Sequence, residues 1–140
     1  MTTEVRNQIV EAWDAAWDAG DTGPLAELLS PDYRRITASA EDGETREQFL
    51  ASIVSTRAAF PDIVTTIDQI VIEGDQVAIR WHSAGTHLHG FLGVPPTHRR
   101  VEVSGATFAE LQDGQIVREH VTWDPRALLS ALGIITVGQD

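Results

Sequence analysis

The chain has 140 residues, 42% of them hydrophobic, no cysteine and a net charge of −11. That length suits one domain, residues 1–140, with a core of its own. The missing cysteines exclude a disulfide frame and a thiolate metal site. The acidic balance argues against nucleic acid and anionic membrane as partners, because both need clustered Lys or Arg.

Val5 to Ala19 reads as an amphipathic helix, with Val5, Ile9, Trp13, Ala16 and Trp17 at helical spacing. Trp13 and Trp17, four apart, share a face; they pack in the core or line a cavity for a flat ligand. No basic segment leads into an apolar run here, and no stretch approaches a membrane span, so the expectation is a cytoplasmic protein. Gly20 ends the helix, and a short second one runs from Pro24 to Leu29. Tyr33 to Thr37 is a short strand, with Tyr33 pointing its hydroxyl into a cavity or covering a sheet edge. Ser39 to Glu44 reads as a polar loop. Thr45 and Gln48 form a capping-box pattern that opens a third helix, which carries Phe49, Leu50, Ile53 and Val54 inward and runs to Phe60.

Two hairpins follow. Ile63–Glu73 and Gln76–His87 turn at Gly74-Asp75, and two long strands turn at Asp113-Gly114, a pair suited to a type I′ turn. A two-residue turn in the first places Ile72 opposite Val77, Ile70 opposite Ile79 and Asp68 opposite Trp81. Asp68 is then expected inside. In the second hairpin it places Ala109 opposite Arg118, Thr107 opposite His120, Gly105 opposite Thr122 and Val103 opposite Asp124. Opposed residues share a face, so Arg118, His120, Thr122 and Asp124 are expected on the cavity side. Phe108, Val117, Val121 and Trp123 are then outward, an apolar surface calling for a homodimer, with Glu102, Glu110 and Glu119 as its polar rim. A slip of one residue would exchange the two faces. Between the hairpins, Gly85–Gly93 is glycine-punctuated; Phe91 and Leu92 are expected to wall or cover the cavity. His87 and His89 have a spacing that suits a metal, but no third ligand matches them, and His98 has no assigned role. Pro125 opens a last helix that Gly133 stops. Helices precede a run of strands with no β-α-β alternation, so the class is α+β.

The segments FLGVPPTHRRVEV and LQDGQIVREHVTWDPRALLSALG resemble the SnoaL-like polyketide cyclase family, whose members often carry G-x-x-P-P-T-G-R, D-G-K-I-V and D-x-x-x-L-L-x-x-L-G in that order. The resemblance implies a cone-shaped α+β barrel like that of ketosteroid isomerase, enclosing a ligand cavity. It also implies that Asp124 matches the family's acid/base aspartate. The chain departs at His98, where the family usually has Gly, and at His120-Val-Thr-Trp123, where many members have adjacent His-Trp.

No Ser-His-Asp order, phosphate loop, dinucleotide fingerprint or zinc motif is present, so no cofactor or metal is expected. What remains is proton transfer on a bound hydrophobic, oxygenated molecule. Asp124, His120 and Asp68 are the candidate catalytic groups. Trp13, Trp17, Tyr33, Trp81, Phe91, Leu92, Thr107, Arg118 and Thr122 are the candidate substrate contacts. Carboxylates in a dry cavity gain proton affinity and serve as acids or bases near neutral pH. Three readings stand: an aldol-type cyclase or related hydroxylase acting on an aromatic polyketide; an epoxide hydrolase or isomerase with Arg118 between Asp68 and Asp124; and a binding protein without chemistry, in which Asp124 merely caps a helix.

Overall fold

The computed structural model describes residues 2–38 and 40–133. α1 (Thr2–Trp13) buries Ile9, Ala12 and Trp13 and runs into a π-turn at Asp14–Asp18. The wider turn is closed by Ala19 N–H donating to the Asp14 carbonyl at 3.2 Å. It keeps Trp17 beside Trp13 on the inner side. Asp18 ties the turn to the sheet by accepting from Thr65 N–H at 2.9 Å, and Arg57 donates to the Trp17 carbonyl at 2.6 Å. α2 (Gly23–Leu28) leads into β1 (Leu29–Thr37) and β2 (Ala40–Thr45). The segment read as a polar loop is therefore mostly an edge strand, and Ser39 lies outside the described residues. Its polar composition suits an edge, where backbone pairing on one side is enough and exposed charges discourage a second partner.

α3 (Arg46–Ala59) starts at the expected capping box. Thr45 Oγ1 accepts from Gln48 N–H at 3.1 Å and Gln48 Oε1 accepts from Thr45 N–H at 2.8 Å. Phe49 and Ile53 are buried, but Val54 is 59% exposed, because its position rotates past the inner stripe. β3 (Val64–Glu73), β4 (Gln76–Thr86), β5 (Arg100–Gln112) and β6 (Gln115–Trp123) follow, and α4 (Pro125–Ala131) closes the described chain.

The strand order is β2-β1-β6-β5-β4-β3, antiparallel except for the parallel pair β1–β6. Helices α1 and α3 fill the inner face of this curved sheet, and the main core joins Ile9, Leu25, Tyr33, Ile53, Ile79 and Ile116. The class is the expected α+β cone.

Both hairpin turns form as read. Asp113 and Gly114 take φ of +53° and +80°, the pair of positive values a type I′ turn needs. Ile72 faces Val77 and Ile70 faces Ile79. Beyond that, each hairpin contains a bulge. In the first, Gln69 faces Arg80 and the next pair is Ile67 with Trp81, so Asp68 is the extra residue. In the second, Leu111 faces Ile116 and the next pair is Glu110 with Arg118, so Val117 is extra. Past each bulge the bulged strand has changed phase. Asp68 points outward, not inward. Glu119 faces Ala109, Val121 faces Thr107 and Trp123 faces Gly105 on the inner side, while Arg118, His120 and Thr122 lie outside opposite Glu110, Phe108 and Ala106. Of the surface expected to call for a dimer, Phe108 stays outward, 57% exposed, while Val121, Trp123 and Glu119 turn inward.

Candidate active site

The inner face of the sheet and the helices enclose a cavity of about 420 Å³. This is within the usual range for small-molecule sites. All 4 tryptophans of the chain, Trp13, Trp17, Trp81 and Trp123, line it. Phe60, Ile63, Val101 and Leu128 add aliphatic and aromatic surface. Phe91 and Leu92 lie at the mouth, where Leu92 is 79% exposed at φ +51° in a tight turn closed between Phe91 and Val94.

The strongest polar feature of the wall is Glu119. It is 2% exposed, on the inner face of β6, and lines the cavity. The Tyr33 hydroxyl, on the neighbouring strand β1, donates to its Oε1. Burial pushes the Glu119 carboxyl above its ordinary value, opposed by the Tyr33 hydrogen bond and by the Arg35 guanidinium. Burial and the Glu119 charge also raise Tyr33, which therefore keeps its proton and acts as a donor. Arg35 is paired with Glu44 at 3.1 Å and stacks over the Phe49 ring at 4.8 Å. Arg35 and Glu44 both line the cavity.

The hydroxyl groups of the wall are largely engaged with one another or with backbone. Thr65 and Ser83 share a hydrogen bond of 2.7 Å. Ser52 donates to the Phe49 carbonyl and Thr56 to the Ser52 carbonyl. Trp81 Nε1–H donates to Thr107 Oγ1 at 3.0 Å.

Of the residues expected from sequence, the structure brings Trp13, Trp17, Trp81, Phe91, Leu92 and Thr107 together at this cavity. Tyr33 stands just behind it, bonded to Glu119. The other expected residues are elsewhere. His120, Arg118 and Thr122 are exposed on the outer face because of the Val117 bulge. Asp124 is exposed and caps α4, accepting from Arg126 N–H at 2.9 Å. Asp68 pairs outside with His82 Nδ1 at 2.9 Å. Asp68 is on β3 and Arg118 on β6, three strands away or roughly 14 Å, so an Asp-Arg-Asp site is not formed. His87 is fully buried, stacked at 5.3 Å on Phe60, with Nδ1 accepting from Thr97 N–H; His89 is exposed. Among the described residues no group of three or more His, Asp or Glu is placed to hold a metal.

Sequence reasoning missed Glu119 as a site residue. Its signal was a change of parity: Ile116 is apolar at an even position, and Val121 and Trp123 at odd ones. One face cannot collect all three without an extra residue between them.

The model of the SnoaL-like polyketide cyclase family matches residues 7–132. The chain belongs to that family. Solved structures agree over nearly its full length. AclR of Streptomyces galilaeus, described as a proposed hydroxylase, is 27% identical with a TM-score of 0.85, covering 96% of this chain and 99% of its own. TsrD of Streptomyces laurentii is 27% identical with a TM-score of 0.84, covering 94% and 97%. IdmH of Streptomyces antibioticus, described as a proposed polyketide cyclase, is 34% identical with a TM-score of 0.78, covering 92% and 98%. No curated protein sequence matches the chain. No helix among the described residues is long and apolar enough to cross a membrane.

Proposed function

We propose that the protein is a polyketide tailoring enzyme that closes a ring by aldol-type chemistry, with Glu119 as its general acid and base. The observation that carries this reading is one buried carboxylate set in a tryptophan-walled cavity. Family membership and the likeness to IdmH support the substrate class. The tryptophan walls suit a flat, polycyclic molecule.

Tyr33 occupies Oε1 of Glu119, and no hydrogen bond among the described residues takes Oε2. That oxygen removes a proton from a carbon alpha to a carbonyl. The C–H pair becomes the enolate C=C bond and the carbonyl π pair moves to oxygen. The enolate carbon attacks a second carbonyl of the same molecule, forming the C–C bond. The new alkoxide then takes the proton from Glu119, which returns to its starting state. Arg35 keeps the buried carboxylate ionisable, and Glu44 holds Arg35 in place. A raised proton affinity brings the group toward neutral pH, where it both takes and gives a proton.

The experiment is turnover of an aromatic polyketide ester carrying a pendant β-dicarbonyl. Glu119→Gln keeps the shape and the bond from Tyr33 and should lose about 10²–10⁴ in rate, the usual worth of a general acid–base group. Asp124→Asn should remain within a few-fold of the parent. A Glu119→Gln variant as active as the parent would sink the assignment. The likeness to AclR supports a second reading, ring hydroxylation in the same cavity. Product mass separates the two, since cyclisation by aldol addition leaves the mass unchanged.

A further inference from the structure

We propose that the Thr107 hydroxyl is the donor that binds the substrate oxygen on which negative charge develops, and that Trp81 positions it. The inference rests on the acid–base reading above and adds the group that reading lacks, a donor for the enolate. Thr107 is on the inner face of β5, 2% exposed, and lines the cavity. The Trp81 N–H occupies a lone pair of its oxygen at 3.0 Å. A threonine hydroxyl has one proton and two lone pairs. None of the hydrogen bonds among the described residues uses that proton, whereas Ser52, Thr56 and Tyr33 spend theirs within the protein, and one of Thr65 and Ser83 spends its proton on the other. A ligand oxygen in the cavity is the acceptor this position offers.

Packing fixes the arrangement. The Trp81 indole lies across Gly105, where a Cβ would come within 2.4 Å of the ring. Any side chain at Gly105 would lift the indole and its N–H away from Thr107. An oxygen that already accepts from an N–H is also a better donor through its own O–H, because hydrogen bonds in a chain polarise one another.

Position relative to Glu119 completes the case. Thr107 faces Val121 and Ala109 faces Glu119, so Thr107 and Glu119 are diagonal neighbours on the inner face. Such neighbours are about 7–8 Å apart at the backbone, with side chains that reach toward each other. That gap fits a C–C=O unit whose carbon meets the carboxylate and whose oxygen meets the hydroxyl. Preorganised donors of this kind stabilise the charge as it forms.

The test measures binding and turnover in full-length protein. In the Glu119→Gln background, where the buried carboxylate is gone and Glu44 is paired with Arg35, para-nitrophenolate and nitrobenzene are titrated by quenching of tryptophan fluorescence. Thr107→Val should weaken para-nitrophenolate by about ten-fold or more, as expected for a lost hydrogen bond to a charged oxygen. Nitrobenzene should bind unchanged, and Thr107→Ser should restore the phenolate to within a few-fold. Thr107→Ala gives the same comparison if the Val variant does not fold. With Glu119 intact, Thr107→Val should lower kcat by about 10²–10³-fold with little change in KM. Equal loss of both probes, no loss of either, or an unchanged kcat would overturn the proposal. Failure of the acid–base reading looks different: Glu119→Gln keeps its turnover while the selective loss of phenolate binding persists.

Discussion

Each long hairpin has two halves that obey different rules. Next to the turns, pairing follows the turn: Ile70 with Ile79, and Leu111 with Ile116. Beyond Asp68 and Val117 the bulged strand of each pair has slipped by one residue, while its partner alternates without interruption. The turn halves build core with Val77, Ile79, Ala109 and Ile116. The far halves build the cavity with Thr65, Ser83, Thr107, Glu119 and Trp123. A bulge bends the strand that carries it and re-aims the side chains past it. Here the two bulges separate the part of the sheet that holds the fold from the part that holds the site.

The largest effect that would break this comparison comes from a charge on either side of β6. Val121 is 6% exposed on the inner face, and Thr122 is exposed on the outer one. Val121→Asp buries an unpaired carboxylate and should cost more than about 3 kcal/mol. Thr122→Asp should change stability by no more than about 0.5 kcal/mol. Urea unfolding of the two variants measures both. The reverse ranking would mean that β6 follows its turn after all, with His120 and Asp124 inside.

That ranking also marks what was legible in the sequence. The turns, the capping box at Thr45 and the stop at Gly133 depend on local chemistry, and each was readable from a few adjacent residues; the α+β class was readable from the order of the elements. Trp13, Trp81 and Thr107 were readable because α1, β4 and β5 keep one phase throughout, whereas Trp123, expected outward, was misplaced with the rest of β6. Glu119, His120 and Asp68 were misplaced for a single physical reason. Their strands change phase partway along, and a register carried from the turn cannot see an extra residue. The apolar pattern held the correction: Ile63, just before β3, and Ile67 are odd while Ile70 and Ile72 are even, and β6 changes parity from Ile116 to Val121. Asp124 is a different case. Its place at the end of β6 was read correctly, but the backbone turns there into α4 and its carboxylate is used on the helix start.

An intermediate effect is expected from pH. The folded state raises the proton affinity of Glu119 above its ordinary value of 4.5, chiefly by burial. Between that value and the raised one the folded protein binds more protons than the unfolded chain. Stability must therefore fall as pH rises through this window, and it is fully present below about 4.5. Glu119→Gln cannot ionise and still accepts from Tyr33. Its Tm should match the parent's at the acid end of the window and exceed it increasingly toward neutral pH. Thermal melts of both proteins across the window decide this; parallel curves would mean that Glu119 is not desolvated and that β6 does not face inward at 119.

The smallest expected effect is also the most direct test of the bulges. Val117 has no partner of its own on β5, since Ile116 and Arg118 already face Leu111 and Glu110. Removing Val117 leaves every pair in place and lets Ile116, Glu119 and Val121 keep their inner positions in regular alternation. Deletion should cost about 1 kcal/mol, from lost packing of a half-buried side chain and some loss of twist, and turnover should stay within about ten-fold of the parent. Removing His120 has the opposite logic. It forces Val121 and Trp123 outward and Thr122 inward, so the cavity wall and the fold should be lost together. Circular dichroism and melting temperature of the two single-residue deletions give the answer. If deletion of Val117 were as damaging as deletion of His120, the bulge would be needed for the curvature of the sheet and not merely for its phase. The division between a fold-holding half and a site-holding half would then fail at β6.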